Sequence, residues 1–404
     1  MKMLAPFGFY GSGNIGDEAT LKGFAELVRA SGHKLDFAVA SANPRHTAEV
    51  EPYFQYHKYK GGFVGIRSKL TGHRARAFVF PGGTPIMDAL GGWPLNALAP
   101  MVEYGHRWGK PAVFIGIGVE RLARAESKAI VRERIAPYVA HWTVRSAKDQ
   151  QRLLDLNVPA SRITVAADMA WLMPRADLDH GRQVLARHLD SRRPLIGVNI
   201  NAEPAVMERA PRFFENLAAA LDAIIDEHDA RVVFMFNEVR EGPTYDIAAA
   251  EQVKGLMRRA DAAFAIPPDY LSPPQMMSII GNCALTISTR YHFCLFSALQ
   301  GTPFLALKRS DKVSDLCADL GWDYGVAVEA VDATTLGSQA RALLCDPNPA
   351  LERLEARVKE MKARSQGNLK GLDALQAAAA QVRRGDGLKR ALGRTFGGSK
   401  GNPA

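Results

Sequence analysis

Cysteine is scarce in this chain: four residues in 404, Cys283, Cys294, Cys317 and Cys345, with no Cys-x-x-Cys pair among them. That spacing argues against a structural zinc site or a disulfide framework and leaves buried, reduced thiols as the reading. Long apolar runs are missing too. None approaches the roughly 20 residues that a membrane span needs, so the chain is expected to be water-soluble. The opening MKMLAPFG has no apolar stretch of signal-peptide length followed by a small-residue cleavage site, which argues against export and for the cytoplasm.

What is present is ordinary for a globular protein: 47% hydrophobic and 23% charged residues. The length is too great for one common core and fits two domains, with a cleft expected between them. The formal charge of +9 resembles a nucleic-acid signal until it is located. From Arg383 to Ala404 six basic residues face one acid, so most of the excess is a tail and no nucleic-acid partner is called for. By composition the tail, 384–404, reads as disordered, and its GLKRALGRTF stretch either is simply solvated or lies on an anionic membrane surface, at the inner face of the membrane.

Short apolar, often β-branched segments alternate with helix-length amphipathic ones throughout, the pattern of α/β doubly wound parallel sheets. In the first half the strands are expected at 35–41, 77–83, 112–119, 141–146 and 162–168, with helices at 17–31, 94–108 and 147–156. A charged, proline-flanked stretch reads as a linker, and a second series follows at 195–201, 231–237, 262–267, 284–288, 303–308 and 325–329. The expected organisation is therefore a Rossmann-like domain over 1–175, a linker over 176–194, a second Rossmann-like domain over 195–347, a helix over 348–383 and the tail. In such sheets ligands sit outside the carboxyl ends of the strands, so chemistry is sought just after each strand.

Residues Gly11-Ser12-Gly13-Asn14-Ile15-Gly16 match the spacing of a dinucleotide-clamping turn. Two features oppose that use. Asp17 and Glu18 follow directly, putting two carboxylates in the helical turn where a pyrophosphate would lie. The acid expected to bind a ribose about 20 residues on is also absent, since the second strand ends in Ala40-Ser41-Ala42. A structural turn and a polar substrate loop built from Asn14, Asp17 and Glu18 both remain open.

In FPGGTPIMD, 80–88, Gly82 and Gly83 expose backbone N–H groups after a strand, with Asp88 a turn further on; a tight strand-to-helix turn is the plain alternative. The stretch LTISTRYHFCLFSALQGTP, 285–303, is richer. Its strand ends at Ser288-Thr289, either of which can cap the next helix, and Arg290 and His292 fall in the opening turn. Free N–H groups, a positive helix end and a guanidinium suit phosphate or carboxylate, and a histidine can move a proton. The alternative is an arginine paired with an acid across the domain interface and a histidine held by a backbone carbonyl. Arg145, at the end of HWTVR, and Lys312, opening a helix after PFLALK, add cations at carboxyl edges.

These segments, taken in order, resemble the polysaccharide pyruvyl transferases. The similarity spans roughly residues 5–330: GSGNIGDEA, PGGTPIMD, IGIGV, TVRSAKDQQRLLDLNV, AADMAWL, STRYHFCLFSALQGTPFLAL and DKVSDLCADLGW. Ser146 stands where the family has an aspartate, Pro81 where a first glycine is common, and RSDK replaces a Tyr-Asp-Pro-Lys form. The resemblance implies two Rossmann-like domains in a GT-B-like arrangement. It implies transfer of pyruvate from phosphoenolpyruvate to sugar hydroxyls of a cell-surface polysaccharide or its lipid-linked precursor, with the donor as co-substrate and no metal or other cofactor. The family's motifs match Arg290 and His292, assigned to catalysis, and Arg145 and Lys312, assigned with Arg290 to the donor; Ser288 and Thr289, at the strand end before them, complete the expected donor set. Gly11, Asn14, Gly16, Asp17, Glu18, Gly82, Gly83 and Asp88 form the acceptor or loop set. The alternatives are a GT-B sugar-nucleotide glycosyltransferase, an NAD-dependent oxidoreductase and a non-catalytic glycan-binding protein.

Overall fold

Strands of a parallel sheet are covered on both faces and are therefore built from near-continuous apolar runs. The structure, a computed structural model, describes residues 2–58, 72–190 and 192–382. The chain divides into two compact units. One takes the residues up to Ser12, Thr20–Leu172 and the chain from Ala363; the other takes Gly13–Ala19 and Met173–Lys362.

Among the described residues the first unit holds seven parallel strands: β1 (Lys2–Ala5), β2 (Asp36–Ser41), β3 (Gln55–Lys58), β4 (Phe78–Pro81), β5 (Ala112–Ile117), β6 (Val139–Val144) and β7 (Ile163–Val165). Their order is β3-β2-β1-β4-β5-β6-β7. Alternate residues feed two cores, one on each face. Leu4, Phe78, Phe80 and Phe114 point to one, and Met3, Ala5, Val79, Val113 and Ile115 to the other. On the first face Phe80, Phe114 and Trp142 stack across β4, β5 and β6 at ring separations of 4.6 and 4.4 Å. The order reverses between β1 and β4, so this unit's switch point lies outside their carboxyl ends.

The second unit repeats the scheme with β8 (Leu195–Asn199), β9 (Arg231–Phe234), β10 (Ala263–Ala265), β11 (Leu285–Ser288), β12 (Phe304–Lys308) and β13 (Gly325–Ala327). The order is β10-β9-β8-β11-β12-β13, which puts its switch point between β8 and β11.

Residues 176–194, read from sequence as a linker, carry the helix Asp179–Leu185. Gly181 seats it on helix Pro273–Ile280: its N–H donates to Ser278 Oγ at 2.8 Å, and a Cβ there would lie 2.3 Å from the Ser278 carbonyl oxygen. The expected helix over 348–383 is two helices, Asn348–Ser365 and Leu369–Gln381. Between them the buried Asn368 amide donates to the carbonyls of Ala167 and Ser365, and Leu372, Leu375 and Ala379 of the second helix enter the first unit's core. The tail assigned to 384–404 lies outside the described residues.

Candidate active site

At the switch point of the second unit, β8 and β11 both end in polar residues. Such groups at a buried strand end must find partners. Ser288 Oγ donates to Asn199 Oδ1 at 3.1 Å and accepts from the Arg290 N–H at 2.9 Å, while Thr289 Oγ1 donates to Asn201 Oδ1 at 3.0 Å. Neither hydroxyl therefore caps the following helix, against the sequence reading: Arg290 is the N-cap of Tyr291–Gln300, and it makes no side-chain cap bond. Both hydroxyls are buried and bind β8 to β11.

Arg290 does not present a free guanidinium either. Its Nε donates to Asp246 Oδ1 at 3.1 Å, and its Nη2 reaches both Asp246 and Glu238, the latter at 2.7 Å. Asp246 is the hub: its other oxygen accepts from Asn199 Nδ2 at 2.8 Å and from the main-chain N–H groups of Asn237 and Glu238 at 2.9 and 3.1 Å. Burial pushes the Asp246 carboxyl up against the pull of Arg290 and Asn199. For Arg290 burial works downward, and the two carboxylates outweigh it and hold the charge. Glu238 also pairs with Arg240. The alternative that the sequence leaves open is an arginine paired with an acid across the domain interface; the acids that hold Nε and Nη2, Asp246 and Glu238, belong to the same unit as Arg290.

The glycine-rich loop belongs to the same cluster. Gly13–Ala19 groups with the second unit; Asn14 bridges Glu238 in antiparallel register, Ile15 N–H donates to Asn237 O at 2.9 Å, and Val239 N–H donates to Gly13 O at 3.0 Å. Asn14 Oδ1 accepts from Gly16 N–H at 2.9 Å and from Asn237 Nδ2 at 3.2 Å. Gly16 opens helix Ile15–Ser31, and a Cβ on it would lie 2.3 Å from His292 Nδ1. The third glycine of the dinucleotide-like pattern thus lets an imidazole approach a helix. Glu18 is fully buried and accepts from the Tyr270 hydroxyl at 2.8 Å; burial and that carboxylate raise the phenol's pKa. Lys312 is exposed in the first turn of Asp311–Leu320, after β12. Arg309, just before that helix, donates to Thr289 O at 2.9 Å and pairs with Glu203; burial lowers its pKa to about 10, still charged at neutral pH.

Asp17, half-buried in the first turn of Ile15–Ser31, also belongs to the second unit; the remaining predicted residues lie in the first. Arg145 follows β6; its Nε donates to Gly116 O at 3.0 Å and its Nη1 meets the buried Asp168 at 3.0 Å. Ser146, where the family has an aspartate, caps helix Ala147–Asp155 by accepting from Asp149 N–H at 3.1 Å. Gly82 and Gly83 both have positive φ, +64° and +68°, and a Cβ on Gly82 would lie 1.8 Å from Thr20 Cγ2. Gly11, at φ +74°, has its Cβ direction filled by Asn43 N and Ser41 Oγ, both at 2.4 Å. Asp88 accepts from Arg124 N–H at 2.9 Å and Ala123 N–H at 3.2 Å; burial pushes its pKa up, but these bonds and one from Ser127 prevail and hold it below the usual value.

Sequence reasoning missed Asp246, Glu238, Asn199, Asn201, Asn237, Tyr270 and Arg309. The strand-end runs VNIN and FMFNE carried a signal, polar residues closing an apolar run; nothing local tied Asp246 to an arginine 44 positions away.

No curated protein sequence matches the chain. Similar solved structures include a UDP-N-acetylglucosamine 2-epimerase from Listeria monocytogenes, described as putative (TM-score 0.62, 12% identity, covering 95% of this chain and 98% of that one). The UDP-GlcNAc 2-epimerase of Neisseria meningitidis bound to UDP-GlcNAc (0.62, 10%, 93% and 100%) and a glycosyltransferase from Rickettsia africae (0.62, 12%, 94% and 99%) are comparable. At these identities the likeness concerns the fold, two Rossmann-like α/β units of GT-B type. The sequence pattern of the polysaccharide pyruvyl transferases matches residues 14–311, a stretch that holds Asn14–Ala19 of the glycine-rich loop, the Asp246 hub and the Arg290–His292 turn, and the chain belongs to that family.

Proposed function

We propose that the protein transfers a pyruvyl group from phosphoenolpyruvate to two hydroxyls of a cell-surface polysaccharide or its lipid-linked precursor, in the cytoplasm, forming a cyclic ketal. The observation that carries the reading is His292, held against Gly16 at the switch point of the second unit, where two of the family's motifs meet in one cluster. In this reading His292 protonates the methylene carbon of the donor, and cationic charge develops at the adjacent carbon. A sugar hydroxyl adds there, the bond to the phosphate oxygen breaks, and phosphate leaves with the electron pair. A second hydroxyl closes the ring. One hydroxyl proton restores the imidazole and the other leaves with phosphate, so no water and no resident cofactor is consumed.

Arg290 acts first as a positioning residue, since two carboxylates already hold its Nε and Nη2. Lys312, Arg309 and the start of Tyr291–Gln300, whose N-cap Arg290 makes no side-chain cap bond, are the groups of the second unit proposed for the donor's anionic ends. Of the acids considered as proton acceptors, Asp88 already serves two main-chain donors and Glu18 is buried against the Tyr270 hydroxyl, which favours the half-buried Asp17, grouped in the same unit as His292. The test is His292→Ala. Turnover is expected to fall about 10²–10⁴-fold with the melting temperature unchanged; unchanged turnover removes the role. A second reading, sugar-nucleotide transfer, has the glycosyltransferase and epimerase fold neighbours in its favour. It predicts stabilisation by a UDP-sugar and none by phosphoenolpyruvate.

A further inference from the structure

Of the five tryptophans, Trp142, Trp171 and Trp322 are buried, yet Trp93 is 36% exposed. It stands at the end of the loop that follows β4, just before helix Leu95–Arg107. Connections from strand to helix lie at the carboxyl edge of a parallel sheet, so Trp93 is at the switch point of the first unit. Phe9, four residues beyond β1, meets the indole edge-on at 4.8 Å, with Phe7 behind at 6.3 Å. Leu90, three residues before it in the same loop, is 63% exposed.

We propose that this indole is the stacking platform for a pyranose ring of the acceptor glycan; the proposal rests on the pyruvyl-transfer reading for its substrate class. Three properties of the loop point to a sugar. A pyranose has one face of weakly positive C–H groups, which complements the negative face of an aromatic ring. The platform is fixed before binding: Asp88 anchors the loop through Ala123 and Arg124 N–H, Glu120 N–H donates to Ile86 O at 2.8 Å, and Gly118 N–H donates to Gly83 O at 2.9 Å. A fixed aromatic loses little conformational freedom when a ligand stacks on it. The surroundings are also polar enough for hydroxyls, since the Arg124 guanidinium lies 3.6 Å from where a Cβ on Gly91 would stand, and Asn96 is exposed in the following turn.

The experiment needs no donor. Full-length protein and Trp93→Ala are titrated with a panel of hexopyranose oligosaccharides carrying neutral, N-acetylated and uronic units, while Trp93→Phe tests whether a smaller ring suffices. A loss of tenfold or more in glycan affinity for Trp93→Ala, an intermediate loss for Trp93→Phe and an unchanged melting temperature are expected. Equal affinity in wild type and Trp93→Ala overturns the platform, as does a wild type that binds nothing in the panel. So does a variant that keeps glycan affinity and loses binding only to phosphatidylglycerol vesicles, which would make Trp93 a membrane contact. Phosphate release from phosphoenolpyruvate by the wild type is measured separately: its absence sinks the pyruvyl-transfer reading, whatever the titrations show. Where release occurs, Trp93→Ala is expected to raise the acceptor KM with the phosphoenolpyruvate KM and kcat unchanged.

Discussion

Gly16 has its hydrogen where any other residue would drive a Cβ into the His292 imidazole. Gly16→Ala must push the ring away, and a misplacement of about 1 Å costs on the order of 10²-fold in rate. Most of the loss should vanish in a His292→Ala background, because the severe contact is with the imidazole and the other, with Asn14 Oδ1 at 3.1 Å, is milder; a full additive loss in the double variant would show another role. Asp246 makes a different demand. Removing it strips Arg290, Asn199 and two main-chain N–H groups of one shared acceptor, and breaking such a buried pair costs about 3–5 kcal/mol. Asp246→Ala should lose that much stability in urea titration; a loss under about 1 kcal/mol would mean that the hub carries little. Asp88 gives the pH dependence. Its folded pKa lies below its unfolded value of about 3.9, so its contribution is present above that value and is lost as pH falls through the folded pKa. Asp88→Asn should flatten the acid limb of a stability–pH curve below about pH 4 and leave its neutral region parallel to wild type.

At the scale of elements, the turn after β4 separates two costs that usually come together. Gly82 and Gly83 share a positive φ, but only Gly82 also faces a neighbour, Thr20, at a distance no Cβ tolerates. Gly83→Ala should cost about 1–2 kcal/mol for the backbone alone. Gly82→Ala should cost clearly more, and comparable melting temperatures for the two would contradict the packing argument. Legibility in the sequence followed the same physics. The six strands of the second unit stood out because runs such as RVVF and FLALK are buried on both faces. β1 and β3 did not: KMLA is short and not β-branched, and QYHK is a half-exposed edge strand with no apolar run. The helix break at Gln366–Asn368 was hidden because Asn368 is held by carbonyls of distant residues. His292 was legible from its place after an apolar strand; its contact with Gly16 was not, being made across 276 positions of chain.

For the whole molecule, no described helix is long and apolar enough to cross a membrane, and two doubly wound units carry their polar strand ends at separate switch points. The division would suit the proposed two-substrate reaction, with the proposed proton donor His292 in one unit and the proposed platform Trp93 in the other. The most direct measurement is inorganic phosphate release from phosphoenolpyruvate by the full-length chain in the presence of an oligosaccharide panel, with product mass followed in parallel. One phosphate released per acceptor, each product heavier by one pyruvate less one water, is the predicted result. No phosphate with any acceptor, together with release of a nucleoside diphosphate from a sugar nucleotide, would contradict it.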